Sequence, residues 1–301
     1  MKKISIQALL FIAAILVFLP SSAVEISAEK IGSKINVTVN GRFFTSYIFS
    51  DDEKYPFFYP VNGPASGASV TSMRNGVYPH HSSLFFGCDM VNGGNYWQEG
   101  LERGRIISEN TEILKEGSDM VVISNECIWS RPGAPSPIKD TRRIVITSPT
   151  EKLIQLDITI TMKMLMDVHI PRTSHSLFSA RMAADLSVAY GGTMINAQGD
   201  MGEKETFGEK SPWIDYYGSR GDVTEGLAIM QHPSNPWYPS TWFTRDYGFM
   251  SPTPMNWPAD GKETFFAKGQ EITLRYRVLV HDGDHEEVKI AELFDQYCKE
   301  E

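Results

Sequence analysis

In Leu153-Ile154-Gln155-Leu156-Asp157-Ile158-Thr159-Ile160-Thr161-Met162, apolar and polar residues alternate without a break from Ile154 onward. Ile154, Leu156, Ile158, Ile160 and Met162 fall on one side, and Gln155, Asp157, Thr159 and Thr161 on the other. A period of two over that length demands a β-strand with one buried face. The same reading extends both ways along the chain. Upstream, residues 105–110, 119–129 and 141–147 are strand-like. Downstream, residues 177–182, 186–190, 224–230, 264–267 and 271–280 continue the series. Near the start, residues 34–39 and 42–49 flank the Asn40-Gly41 turn signal and read as a hairpin. Residues 55–61 are aromatic but carry Pro56 and Pro60, which allows an edge strand at most. Many strands with turns between them and no alternating helices predict an all-β chain: a large antiparallel β-sandwich. Only residues 284–298 read as helix, with Val288, Ala291, Leu293, Phe294 and Tyr297 at three-to-four spacing and Asp284 and Glu287 spaced as a capping box. No linker divides the chain, so residues 24–301 are expected to form one domain behind a leader.

That leader is residues 1–23, where Lys2 and Lys3 precede an apolar core at 9–19 and Ser21-Ser22-Ala23 offers small residues for cleavage. The pattern predicts a cleavable signal peptide cut near Ala23 and a periplasmic or secreted product, with an uncleaved N-terminal anchor as the alternative. No later apolar run approaches the length of a membrane helix, so no membrane partner is expected after cleavage. The chain has 28 Lys+Arg against 37 Asp+Glu and no basic cluster among its aromatics, which argues against nucleic acid as a partner. Three cysteines, Cys88, Cys127 and Cys298, leave at least one thiol unpaired; one bridge is compatible with the count.

Candidate chemistry starts at Tyr78-Pro79-His80-His81, followed by an apolar strand, Asp89, and an Asn/Gly loop from Asn92 to Trp97. Proton carriers and a flat ring lie there within one loop's reach, which suits a sugar-sized ligand. Arg172-Thr173-Ser174-His175 again puts a histidine just before a strand, and His232 opens a segment that reaches Trp237. Trp213-Ile214-Asp215-Tyr216-Tyr217-Gly218 adds a carboxylate and phenols, and Arg245 stands between aromatics. A rim holding these groups would bind carbohydrate, with rings against the apolar sugar face and Arg or Asn on hydroxyls or a carboxylate. The competing reading makes Trp213, Tyr217 and Trp242 core residues and gives Asp215 and Asp246 to backbone turns. His169, His281 and His285 read as surface or turn residues. No cofactor is predicted; a divalent metal is conceivable on His80 or His81, His175 and His232 with Asp89 or Asp215.

Tyr59-Pro60 with Asn62-Gly63-Pro64, Pro79-His80-His81-Ser82-Ser83-Leu84-Phe85-Phe86-Gly87 with Asp89-Met90-Val91-Asn92-Gly93, Trp213 to Gly218, Gly226 to Pro236 and Arg245-Asp246-Tyr247-Gly248 together resemble DUF6807, a secreted bacterial family often labelled methane oxygenase PmoA. The chain departs from the family pattern at Ser82, where a basic residue is common, at Phe85, where Trp is common, and at Gln231, where Asp is common. The resemblance implies a galactose-mutarotase-like supersandwich, an architecture frequent among sugar epimerases, polysaccharide lyases and glycosidases. The oxygenase label is set aside, because the subunit it borrows from is built of transmembrane helices.

The function expected is therefore an exported carbohydrate-active enzyme of lyase, epimerase or glycosidase type, working by histidine-assisted proton transfer. In it His81 or His175 removes a proton, Tyr216 or a second histidine returns one, and Arg245 neutralises developing charge. Trp97, Asn92, Asp89, Arg172 and Trp237 are the expected substrate contacts, and His80, His232 and Asp215 complete the catalytic candidates. A glycosidase would need two carboxylates among Asp89, Glu99 and Asp215. The alternatives are a non-catalytic glycan-binding protein and a metal-dependent oxidoreductase.

Overall fold

The computed structural model describes residues 24–300 apart from Asn75, Glu99 and Ser118. The expected signal peptide and Glu99 thus lie outside the described residues. In chain order the strands are β1 (Ile26–Ile31), β2 (Lys34–Val39), β3 (Arg42–Ile48), β4 (Phe57–Val61), β5 (Leu84–Cys88), β6 (Arg105–Gly117), β7 (Met120–Ser130), β8 (Ile138–Thr150), β9 (Leu153–Met164), β10 (Val168–Pro171), β11 (Ser176–Arg181), β12 (Thr193–Asn196), β13 (Trp213–Arg220), β14 (Val223–Gln231), β15 (Trp242–Arg245), β16 (Phe249–Pro252), β17 (Glu263–Phe266) and β18 (Glu271–Asp282). Two helices, α1 (Gly202–Thr206) and α2 (Ile290–Tyr297), complete the framework.

Two eight-stranded sheets form the sandwich. The first runs β1-β2-β3-β4-β5-β11-β16-β15, the second β12-β13-β14-β18-β9-β8-β7-β6, and β10 pairs with β17 in a separate ribbon. β9 behaves as its period demands: Ile154, Leu156, Ile158, Ile160 and Met162 are buried in the core while the residues between them are not. The sheets meet through contacts such as Phe178 stacked on Tyr276, with ring centroids 4.8 Å apart. Each such side chain removed from water contributes roughly 1.5–3 kcal/mol. A smaller apolar cluster joins Trp213, Met230 and Leu279 of the second sheet to Ile290, Phe294 and Tyr297 of α2.

Three elements differ from expectation. β4 is interior, lying between β3 and β5. It can be so because it pairs with β5 only through Phe57 and Phe58, while Pro60 falls where the β3 register is irregular, so its missing N–H costs no regular rung. Residues 186–190 form two 3-10 turns instead of a strand, since the Val188 N–H is taken by the Tyr216 hydroxyl at 2.9 Å and the chain then bends at Gly191, φ 94°. The predicted helix starts late. Asp284 Oδ1 does accept the N–H of Glu286 and Glu287, both at 2.9 Å, but Lys289 adopts φ 61° and helical geometry resumes only at Ile290. Cys88, Cys127 and Cys298 are all free thiols.

Candidate functional site

The antiparallel pairing of β5 with β11 places Cys88 opposite Ser176. One step further, Asp89 donates its N–H to the His175 carbonyl at 2.8 Å. His175 Nδ1 lies 3.7 Å from Asp89 Oδ2, an electrostatic contact longer than a hydrogen bond. The loop after β5 then folds back: Tyr96 N–H donates to the Cys88 carbonyl at 3.0 Å, and Asn95 Oδ1 accepts the N–H of Trp97 and Gln98 at 3.0 and 2.8 Å. Gly87 makes this possible, because a Cβ there would collide with the Tyr96 carbonyl oxygen.

Trp97, thus laid on the sheet, is the hub of three imidazoles. Its ring centroid is 4.7 Å from that of His175, 5.3 Å from His80 and 5.7 Å from His81. His80 and His175 are themselves 5.9 Å apart. His81 stacks between Tyr78 at 5.0 Å and Phe249 at 4.5 Å. Burial, reinforced by the neighbouring His80, Arg181 and His175, pushes its pKa down to about 2. Burial thus favours the neutral imidazole and makes His81 a weaker base than an ordinary histidine. His175 keeps 30% of its side chain exposed, with the Asp89 carboxylate beside it.

Beside His81 sits Arg181, a residue the sequence reading did not single out. It ends β11 opposite Phe249 of β16 and is only 4% exposed. Its guanidinium carbon lies 4.4 Å from the Tyr247 ring centroid and 5.2 Å from that of Tyr78, whose rings stack on each other at 4.4 Å. Among the described residues it has no acidic partner, and Nε and Nη1 are buried without an acceptor, as are Trp97 Nε1 and His81 Nδ1. Burial pulls the Arg181 pKa down, partly offset by Tyr247, Tyr78 and Tyr216. The signal was present in the sequence as one cation inside the run 177–182, whose other members are apolar or small.

A cleft of about 290 Å³ opens on the His80 side of the cluster, walled by His80, Trp97, Tyr55, Gln98, Lys54 and the ion-paired Glu53 and Arg74; His81, His175, Asp89 and Arg181 do not line it. A larger hollow, about 460 Å³, lies between the β2–β3 hairpin and residues 151–154. It holds no histidine, and its Lys152 and Asp282 pair with each other at 3.2 Å. The smaller cleft is the candidate site, because His80 and Trp97 line it and their rings join it to His81 and His175.

Several expected members lie elsewhere. His232 is bonded to Ser234 Oγ at 2.7 Å and to the Glu300 carbonyl at 3.0 Å, so it fastens the C-terminus. Asp215, fully buried, faces His281 at 2.9 Å on the outer side of the second sheet; His281 is accordingly no surface residue. Tyr216 lies in the core, its hydroxyl donating to the Asp246 carbonyl at 2.9 Å. Arg245 shares the sheet face of Phe249 but is held by Glu203 at 3.0 Å and by the Phe243 and Phe207 rings. Asn92 closes a turn, donating to the Asp167 carbonyl and accepting from His169 N–H. Trp237 packs on Phe266, and Arg172 is exposed with no side-chain contact to the cluster among the described residues. Trp97 is in the site, but at 1% exposure it supports the imidazoles and offers no ring face to a sugar. The metal set drawn from the sequence is thus split between the two sheets, and among the described residues no three His, Cys, Asp or Glu side chains are placed to hold a metal. No described helix is long and apolar enough to cross a membrane.

A family model described as a family of unknown function, DUF6807, matches residues 34–295. No curated protein matches the chain. Among solved structures it is similar to a putative kojibiose phosphorylase from the human microbiome, at 10% identity and a TM-score of 0.38 over 86% of this chain and 32% of that one. A mutant heparan sulfate lyase HepC from Pedobacter heparinus matches at 10% identity and 0.34, over 88% and 36%. A polysaccharide lyase matches at 10% and 0.28, over 88% and 34%. The chain spans about a third of the length of each of these carbohydrate-active proteins.

Proposed function

The chain belongs to the DUF6807 family, whose function is unknown, so its activity has to be read from the site itself, and we propose an exported carbohydrate-active enzyme that moves a proton on a bound sugar through His175. The observation that carries this reading is the meeting of His80, His81 and His175 around Trp97, from stretches almost a hundred residues apart, with Asp89 beside His175. In this reading His175 accepts the proton and the Asp89 carboxylate stabilises the imidazolium that results. His80, on the cleft wall, returns a proton from its own side. His81 stays neutral and fills the space between Tyr78 and Phe249. The cleft is near the small end of the ~300–1,000 Å³ range of ligand pockets, a fit for one or two sugar rings.

The test is solvent deuterium uptake into a panel of mono- and oligosaccharides incubated with the purified protein in D₂O. Uptake that is lost in His175→Ala and reduced in Asp89→Asn, yet retained in His232→Ala, supports the assignment. Sugars that bind without any exchange would instead mark a glycan-binding protein, and uptake unchanged in His175→Ala would remove that residue from the chemistry.

A further inference from the structure

We propose that Arg181 receives the negative group of an acidic sugar, so that the substrate class of the site is a carbohydrate carrying a carboxylate or a sulfate ester. The inference rests on the sugar-site reading above and narrows it. A guanidinium taken out of water costs several kcal/mol unless an anion and hydrogen-bond acceptors replace the solvent. Arg142 shows how this chain meets that cost elsewhere: it is as buried as Arg181, and Asp140 accepts its Nε–H at 2.8 Å. Arg277 does the same with Asp157 and Glu300. Arg181 alone among these three has aromatic rings in place of carboxylates, with Nε and Nη1 left without acceptors.

Its surroundings point the same way. The charged or titratable groups facing it are Tyr78, Tyr247, Tyr216 and His81, none of them a carboxylate, and burial raises the Tyr247 and Tyr216 phenols. The nearby carboxylate, Asp89, is already beside His175. Arg181 is thus an unbalanced cation beside a neutral imidazole, and its unsatisfied N–H groups are spare donors. Arg suits a planar carboxylate or a sulfate better than a hydroxyl, because its donors are fixed in a fork. An anion bound there would give the guanidinium the acceptors it lacks.

The experiment is a binding series by calorimetry and thermal shift on the wild-type protein with glucuronic acid, a 6-sulfated hexose, uncharged glucose and inorganic sulfate, extended to oligomers of each sugar. A charge-assisted hydrogen bond predicts that an acidic sugar binds on the order of ten- to a hundredfold more tightly than the uncharged one. Whichever acidic sugar shows this names the group, and inorganic sulfate should compete with it. Arg181→Met should abolish the preference and raise the melting temperature, because an unbalanced charge leaves the interior. Arg181→Lys should keep part of the preference. Equal binding of acidic and neutral sugars by the wild-type protein overturns the proposal without needing any variant, as does a preference that survives Arg181→Met. Neutral sugars bound with His175-dependent exchange but no charge preference would overturn the Arg181 assignment alone. Failure of every sugar to bind overturns the site reading beneath it.

Discussion

Replacing Asp215 with Asn should change how stability depends on pH, and the structure fixes the sign. His281 is fully buried, with Nδ1 3.0 Å from the Gly283 carbonyl and Nε2 2.9 Å from Asp215 Oδ1. Both partners are acceptors, so both ring nitrogens must donate, and only the imidazolium can do that. Burial opposes the charge, but the Asp215 carboxylate and its hydrogen bond outweigh it and hold the His281 pKa above its ordinary value. A raised pKa contributes stability that is fully present below the unfolded value of about 6.5 and is lost as pH climbs through the folded value. In that window one proton is bound by the native state and not by the unfolded chain, a slope of about 1.4 kcal/mol per pH unit. Breaking a buried pair by removing one charge costs roughly 3–5 kcal/mol. The lower end applies here, because the amide can still donate to a neutral imidazole. For a chain of this size that is roughly 6–12 °C in melting temperature at acid to neutral pH. Urea unfolding of wild type and Asp215→Asn from pH 5.5 to 8.5 measures it. The gap should be widest below pH 6.5 and shrink as pH rises; a gap of constant width would show that His281 is neutral in the native state and refute the reasoning.

Gly87→Ala should cost about 1–3 kcal/mol by overpacking and, by pushing the Tyr96–Trp97 loop off the sheet, should weaken sugar binding as well; chemical unfolding and ligand titration of the same variant read both effects. His232→Ala removes the bond to the Glu300 carbonyl, so proton exchange at the last residues of α2 should accelerate by about tenfold while activity at the His175 site is kept. Thiol titration should find three free cysteines in denaturant without reductant. In the native protein Cys298 should react first, since burial pushes the Cys127 thiol up to about 12 and Cys88 well above its usual range.

The fold was legible because its signal is local. Alternation in β9 and the Asn40-Gly41 turn each state their own structure within a few residues, and both formed where the pattern placed them. The site was half legible. His80, His81, His175 and Asp89 sit close to strand ends that the hydrophobic pattern could locate, and sheet pairing and the loop that carries Trp97 gathered them. His232 and Asp215 carry the same chemistry in sequence, but they lie just after and within strands of the second sheet, and only the strand order separates them from the cluster. The pairing of His281 with Asp215 depends on the β13-β14-β18 register, which no single stretch encodes. Arg181 was overlooked because an arginine closing an apolar strand looks like a solvated end; its burial comes from Tyr78 and Tyr247, far away in the chain.

β5 is apolar and buried along its whole length, and one of its two neighbours, β11, is not synthesised until residues 176–181 emerge. Until then the strand that will carry Asp89 has an unsealed edge, free to be captured by a like strand of another nascent chain. Whatever handles this protein before it folds must shield that edge through the making of half the strands of the second sheet, so the yield of native molecules should fall as their local concentration rises.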